Sequence, residues 1–428
     1  MGDLTLKDRS VAVIGSGVSG LTAAYLLAKR DHVTLFEADG RLGGHAHTHE
    51  LVLDDGRRVR VDTGFIVHND RTYPILTRLF DELGVATQTT DMSLSVRSDR
   101  DGLEYAGCTG PLGLFAQPRL MVDRRYLGLI FDILRFHRAA RSTLRSTTDE
   151  TLEEFLRRNR FGAYFAEHFM RPLISAVWSC DPEVAPQYPA QYLFRFLDHH
   201  GMLTVLGSPT WRTVTNGSSR YVEKIAAGID EVLMSTRVVR VDRNQDGVRI
   251  TDIHGDERQF DAVVIAAHPD QALRMLAQPS PLEKNLLASI PYSTNHVQLH
   301  SDESLLPRAR RARAAWNYLI PKDRTGSVIV TYDLTRLMRI EGVRDRRFLV
   351  TLGGAHLVEP NAVIAEMIYH HPIYTPKSVA AQARLHELNG PVVSFAGAYH
   401  GWGFHEDGAL SGLKAAQRVG AAGLVLAP

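Results

Sequence analysis

The residues whose types and spacing best suit chemistry are the glycines of Gly15-Ser16-Gly17-Val18-Ser19-Gly20 and the carboxylate of Glu37, seventeen positions beyond Gly20. In a G-x-G-x-x-G, the first glycine permits a tight turn. The second lets backbone approach a pyrophosphate where a Cβ would collide, and the third lets a helix pack closely on a strand. Val18 and Ser19 open that helix, and its free N–H groups and positive dipole end suit a phosphate. Glu37 is placed to accept hydrogen bonds from ribose hydroxyls. A second set could move protons: His268, His400, His405 and Glu406. A histidine near neutral pKa suits proton abstraction from carbon. His405 with Glu406, ahead of the final helix, leads this set, with helix capping as the competing role. Tyr399, Trp402 and Phe404 could wall a substrate, or pack as core.

These residues need elements to hold them. Val11-Ala12-Val13-Ile14 reads as a buried parallel strand, Leu21, Ala24, Tyr25 and Ala28 fall at helical spacing, and His32 to Phe36 is a second apolar run ending at Glu37. Strand, glycine turn, helix, strand and acid together predict a dinucleotide site rather than a structural turn.

The next segment, Ala38-Asp39-Gly40-Arg41-Leu42-Gly43-Gly44-His45, resembles the R-x-G-G stretch of the flavin amine oxidase superfamily. That group includes monoamine and polyamine oxidases, protoporphyrinogen oxidase and phytoene desaturases. The resemblance implies FAD rather than NAD, with the segment along the diphosphate, Arg41 supplying cationic contact and Gly43-Gly44 close backbone approach. Asp62-Thr63-Gly64 resembles the family's D-x-G turn beside the cofactor. Val238 matches a position that clasps the adenine side through its backbone, and Ala266-Ala267-His268-Pro269 a turn packed on the cofactor. Val392 to Ala398 is similar to the family's F-A-G strand, with its glycine at Gly397. Gly408-Ala409-Leu410-Ser411-Gly412, one residue shorter than the amine oxidases' G-A-x-x-S-G, matches the helix start that faces the flavin. The implied fold is α/β: a Rossmann-type FAD-binding domain of the amine-oxidase type with an inserted α+β substrate domain. Residues 1–84, 211–275 and 386–428 would form the first, and 85–210 with 276–385 the second.

Composition narrows the function classes. With 428 residues, two domains are the natural expectation. A net charge of +1 gives no bulk electrostatic case for nucleic acid. Cys108 and Cys180 form no disulfide framework and no metal spacing, which suits a cytoplasmic protein. The N-terminus shows no signal peptide, and no run approaches the roughly 18 apolar residues of a membrane span. His45, His47 and His49 alternate as on one strand face, but no carboxylate or cysteine completes a ligand set, so no metal is expected.

Along the chain, Leu51 to Asp62 reads as a hairpin turning at Asp54-Asp55-Gly56, Thr72 to Gly84 as a helix, and Pro118 to Ser146 as one helix both basic and apolar. Such a helix can lie on an anionic membrane surface or grip an acidic acyl carrier, or expose an ordinary solvated arginine face. Arg308, Arg310, Arg311 and Arg313 form a second basic cluster. Phe161 to Cys180 and Tyr192 to His200 supply an aromatic substrate lobe. Pro372 to Lys377 reads as a loop, and the final helix is expected from near Gly408.

The amine oxidases of the family use a lysine beside the flavin. Lys322 is the candidate here, in a Pro-Lys-Asp-Arg context that reads as a solvated turn. The Trp-Gly-Phe-His-Glu-Asp-Gly block resembles a bacterial subgroup of NAD/FAD-binding oxidoreductases that accompanies fatty-acyl methyltransferases of the cyclopropane-synthase type. The expectation is therefore an FAD-dependent oxidoreductase dehydrogenating an apolar, fatty-acyl or lipid-like small molecule. The alternatives are an amine or polyamine oxidase, a flavin-dependent isomerase without net redox change, and a non-enzymatic lipid carrier. The intact Gly15, Gly17, Gly20 and Glu37 argue against the carrier.

Overall fold

The computed structural model describes residues 9–107, 110–146, 150–178, 184–204, 208–323, 328–343, 346–420 and 426. Cys108 and Cys180, which carry the cysteine argument, lie outside them.

The strand Ser10–Ile14 is central in a five-stranded parallel sheet. The order is Glu231–Leu233, His32–Phe36, Ser10–Ile14, Ala262–Ile265, Val393–Phe395. Apolar runs are what a sheet covered on both faces requires. Val11 and Val13 join one core with Leu21 and Ala24 of the helix Val18–Leu27. Ala12 and Ile14 join another with Val248, Ile250 and Phe260 of the three-stranded meander Val238–Asn244, Gly247–Asp252, Glu257–Phe260. The last helix, His405–Val419, lies against Val18–Leu27. A Cβ on Gly412 would come within 2.1 Å of Ser19 O, and one on Gly408 within 2.5 Å of Val18 Cγ1.

A second, seven-stranded sheet runs Val363–Pro372, Tyr292–His300, Leu349–Leu352, Val330–Asp333, Trp316–Ile320, Leu94–Ser98, Glu104–Gly107. It is antiparallel apart from the pairing of Trp316–Ile320 with Leu94–Ser98. The helices Arg124–Thr143, Leu152–Arg158, Arg171–Trp178 and Ala190–His199 contribute to the same core, rich in phenylalanine. Within it Phe155 and Phe194 meet edge to face at 4.6 Å, the geometry that aromatic quadrupoles favour. The architecture is thus α/β, a Rossmann-type sheet joined to a larger sheet with its own helices.

The predicted hairpin is Thr48–Val52 with Arg58–Asp62, turning at Gly56 with φ +81°. The helix expected over Thr72 to Gly84 is Pro74–Glu82, closed by Gly84 at φ +60°. Three expectations are corrected. Pro118 to Ser146 is not one helix. A 3-10 turn, Pro118–Met121, ends before Asp123, whose carboxylate caps Arg124–Thr143 by accepting from Arg125 N at 2.9 Å and Tyr126 N at 3.3 Å. Pro372 to Lys377 is not all loop, because Thr375 and Ser378 form a reciprocal cap that starts the helix Pro376–Gln382. The final helix begins at His405, three residues before Gly408.

Candidate functional site

One cavity of about 860 Å³ runs from the glycine loop, past the start of the last helix, to the face of the seven-stranded sheet. This is at the upper end for small-molecule sites. At its first end Gly15, at φ +99°, turns the chain out of the strand, and a Cβ there would lie 2.6 Å from Ala266 O. A Cβ on Gly20 would lie 1.8 Å from Gly15 O, so this glycine packs helix on strand. Gly17 differs. A Cβ there meets no atom within 4 Å, because it would stand in the cavity. Gly17 is also the N-cap residue of Val18–Leu27, and no side chain caps that helix. Its first-turn N–H groups are therefore left for an anion. A cradle that only a glycine leaves empty, at an uncapped helix end, fits a diphosphate.

The following segment is tied to this loop. Gly43 N donates to Ser16 Oγ at 3.0 Å, and Gly44, at φ +56°, brings its backbone against Gly17. The Glu37 carboxylate accepts from Ser16 N at 2.8 Å and Asp39 N at 2.9 Å. It organises the loop as well as facing the cavity with Ala38. Arg41 lines the cavity and donates to Gly44 O at 2.7 Å. Val238 and Ala267 line the same end, with Arg237 and Arg274.

Of Asp62-Thr63-Gly64, Thr63 and Gly64 reach the cavity and Asp62 does not. Its buried carboxylate accepts from Thr48 Oγ1 at 2.6 Å, Ser218 N at 2.9 Å and Ser218 Oγ at 2.9 Å. Burial pushes Asp62 up to about 6 against the pull of those hydrogen bonds. Its role is to staple the turn at Gly217-Ser218 to the hairpin, a correction to its expected place beside the cofactor.

The expected proton-moving residues separate. His405 lines the cavity, stacked on Phe65 at 3.7 Å, and burial holds its imidazole down to about 3. Its buried Nε2 has no partner among the described residues. Tyr399 also lines the cavity with an unpartnered buried hydroxyl, and burial raises its pKa. His400 is half-buried, with its Nε2 covered, and does not reach the cavity. Glu406 turns away: its carboxylate accepts from Ile75 N at 2.9 Å and Leu76 N at 3.0 Å, capping the helix Pro74–Glu82. Burial holds it up at about 7. Gly403, Phe404 and His405 line the cavity, whereas Gly408, Ala409 and Leu410 do not. Gly408 and Gly412 instead admit Val18–Leu27. Gly397 lines the cavity as expected.

Sequence reasoning missed the strand Val363–Pro372. Tyr369 and His371 of this strand meet the His45 ring at 4.9 and 5.3 Å. The Tyr369 hydroxyl hydrogen-bonds Thr63 Oγ1 at 2.8 Å and His47 Nδ1 at 2.9 Å. His45, His47 and His49 thus belong to an aromatic and hydroxyl network, and no metal-binding group of His, Cys, Asp or Glu occurs among the described residues. The far end is aromatic. Phe404 stacks on Phe196 at 4.9 Å, and Trp316 meets Tyr332 at 5.0 Å. The carboxylates lining the cavity among the described residues are Glu37 and Asp39, the full cations are Arg41, Arg237 and Arg274, and there is no lysine. Lys322 is exposed and lines a separate small pocket beside Asp99 and Glu104.

A parallel sheet, an intact dinucleotide loop and an aromatic chamber beyond it define a Rossmann-type dinucleotide-binding protein. The model of the flavin containing amine oxidoreductase family matches residues 18–308, and the chain belongs to that family. Among its relatives, protoporphyrinogen oxidase 2 of Arabidopsis thaliana is 29% identical over 184 residues, 42% of this chain and 34% of that protein. The carotenoid phi-ring synthase of Streptomyces griseus is 30% identical over 293 residues, 64% and 54% of the two. The matches span from about a third to about half of these relatives' lengths. A solved CLA-producing fatty acid isomerase from P. acnes superposes with TM-score 0.67 at 16% identity, covering 95% of this chain and 97% of that one. Cyclohexylamine oxidase from Brevibacterium oxydans gives 0.66 at 18%, covering 96% and 98%. At those identities the likeness shows the fold.

Proposed function

We propose that this enzyme dehydrogenates an apolar, fatty-acyl or lipid-like substrate. The observation that carries the reading is the distribution of charge in the cavity. The charged residues lining it, Glu37, Asp39, Arg41, Arg237 and Arg274, lie in the segment after the strand His32–Phe36, just before the strand Val238–Asn244, and on the helix Pro269–Met275, all flanking the parallel sheet. The end beyond Phe404 is lined by rings and aliphatic side chains such as Trp178, Phe196, Trp316, Val350 and Ile368. An ammonium group there would be desolvated without a carboxylate partner, a cost of several kcal/mol, whereas a hydrocarbon gains about 25 cal/mol per Å² buried. The amine oxidase reading also lacks its lysine among the lining residues.

FAD, when bound, supplies the hydride acceptor. Gly17, Arg41 and the first turn of Val18–Leu27 would hold its diphosphate. Residues 85–210 and 276–385 would form the substrate lobe. The aromatic rings exclude water and orient a chain. His405 Nε2, His45 Nε2 and the Tyr399 hydroxyl, unpartnered and neutral at ordinary pH, would be the groups to exchange a proton inside the cavity. An isomerase is the second reading, favoured by the same uncharged chamber and by the name of the fatty acid isomerase that shares the fold. Turnover without oxygen uptake or an added acceptor would mark it. The test of substrate class is titration of the oxidised holoprotein with an unsaturated fatty acid and with an alkylamine of equal length. The fatty acid should perturb the flavin absorption at lower concentration, and tighter binding of the amine would reject the reading.

A further inference from the structure

The helix Arg124–Thr143 has two apolar faces. Tyr126, Leu129, Phe136, Ala140 and Thr143 are buried against the core. On the opposite side Leu127, Phe131 and Leu134 are 41%, 64% and 51% exposed, at i, i+4 and i+7, so they form one outward stripe. A surface helix ordinarily turns its polar side outward. The patch extends beyond the helix. Met121 and Val122, just before it, are 59% and 80% exposed, and Leu112, on the short helix Pro111–Leu114, is 65% exposed. The Tyr126 hydroxyl donates to Leu114 O at 2.5 Å, joining the two helices.

Arginines frame this stripe. Arg124 and Arg125 precede it, and Arg138, Arg141 and Arg145 follow on the exposed side. None of these five has a carboxylate partner among the described residues; Arg141 and Arg145 donate only to backbone carbonyls one turn back. The single acid within the helix, Asp132, is paired with Arg135 at 3.3 Å. The exposed Arg310 and Arg311 lie on a 3-10 turn packed against Pro111–Leu114 and add to the same basic rim.

We infer that this face docks the protein on an anionic lipid surface, with Leu127, Phe131 and Leu134 entering the headgroup boundary and the flanking arginines on phosphates. The surface is a convex helix, not a groove. Its apolar centre spans about 10 Å along the axis with cations at both ends, which suits a plane of diffuse anions over an apolar layer. No helix among the described residues is long and apolar enough to cross a membrane, so the association is peripheral. The inference rests on this face alone and is independent of the substrate assigned to the cavity.

The test is co-sedimentation of the full-length flavin-loaded protein with vesicles of phosphatidylglycerol and phosphatidylcholine, and with phosphatidylcholine alone. Binding is expected to the anionic vesicles and to weaken as salt rises. Phe131→Glu with Leu134→Glu should lower partitioning at least tenfold. Arg138→Gln with Arg141→Gln and Arg145→Gln should lower it about a hundredfold, at about fivefold per arginine. All these sites are exposed, and retained flavin absorbance with an unchanged melting temperature verifies each fold. Failure of the native protein to bind anionic vesicles at low salt overturns the inference, as does equal binding by the variants. So does a dimer in sedimentation velocity that Phe131→Glu dissolves, or retention by an acidic acyl carrier protein without retention by vesicles.

Discussion

Gly17 and Gly20 are chemically the same substitution site three residues apart, and the structure gives them opposite fates. Gly17 has φ −63° and ψ 172°, an extended conformation open to any residue, and a Cβ there touches nothing within 4 Å. Gly17→Ala should therefore fold as well as the native chain when FAD is absent, gaining up to about 1 kcal/mol through the unfolded state. With FAD the added methyl occupies the diphosphate cradle. Overpacking of that kind costs about 1–3 kcal/mol, a rise in Kd of roughly five- to more than a hundredfold. Gly20→Ala places its Cβ 1.8 Å from Gly15 O, with no flexible side chain to give way. Helix and strand must separate, so about 3 kcal/mol or more of stability is lost, a fall in Tm of about 3 °C or more even without FAD. The assay is scanning calorimetry of FAD-stripped proteins together with FAD titration by flavin fluorescence. Native FAD affinity in Gly17→Ala, or a native melting temperature in Gly20→Ala, would refute this reading of the loop.

Three further outcomes follow from the same geometry. Asp62→Ala leaves the Ser218 amide and two hydroxyls buried without an acceptor and should lower stability by about 3 kcal/mol, read by urea denaturation, while the flavin spectrum keeps its position. Glu406→Gln weakens the cap on Pro74–Glu82 and should lower stability by about 1 kcal/mol without altering the pH profile of flavin reduction; a shifted profile would return Glu406 to the chemistry. Finally, burial holds His68, His200, His268, His371 and His400 down to about 4 and His405 to about 3. Below pH 6.5 the unfolded chain binds protons that these folded imidazoles refuse, so their contribution is full above pH 6.5 and lost as pH falls toward 4. Glu406 and Asp62, raised to about 7 and about 6, act oppositely, favouring the fold at low pH and losing that advantage as pH rises through 4 to 7. Because the histidines outnumber them, Tm should rise from pH 4.5 to 6.5, and a flat or falling profile would contradict the burial of these rings.

The cofactor end was legible because backbone sterics dictate it: Gly15 needs positive φ and Gly20 needs zero side-chain volume, so glycine spacing states the local geometry outright. The hairpin at Gly56 was legible for the same reason. Elsewhere tertiary demands overrode local signals. Gly408 and Gly412 look like helix breakers yet lie inside the final helix, because Val18–Leu27 approaches too closely for any Cβ. The strand Val363–Pro372 is the edge strand of its sheet and mixed in character, with Tyr369 5% and Ile368 57% exposed, so it shows no plain apolar alternation. The Glu406 link to Ile75 and Leu76 joins positions some 330 apart, which no local pattern encodes. Asp123 was a readable cap; the apolar residues on both sides of it hid the break.

The proposed function requires a flavin-loaded chamber that takes hydrocarbon and refuses ammonium. The most direct measurement is anaerobic stopped-flow absorbance of the purified yellow protein near 450 nm, mixed in turn with unsaturated acyl lipids and with alkyl and aryl amines. Bleaching, or a saturable spectral shift, by the acyl lipids with no response to the amines is the expected result. Bleaching by amines alone would contradict it.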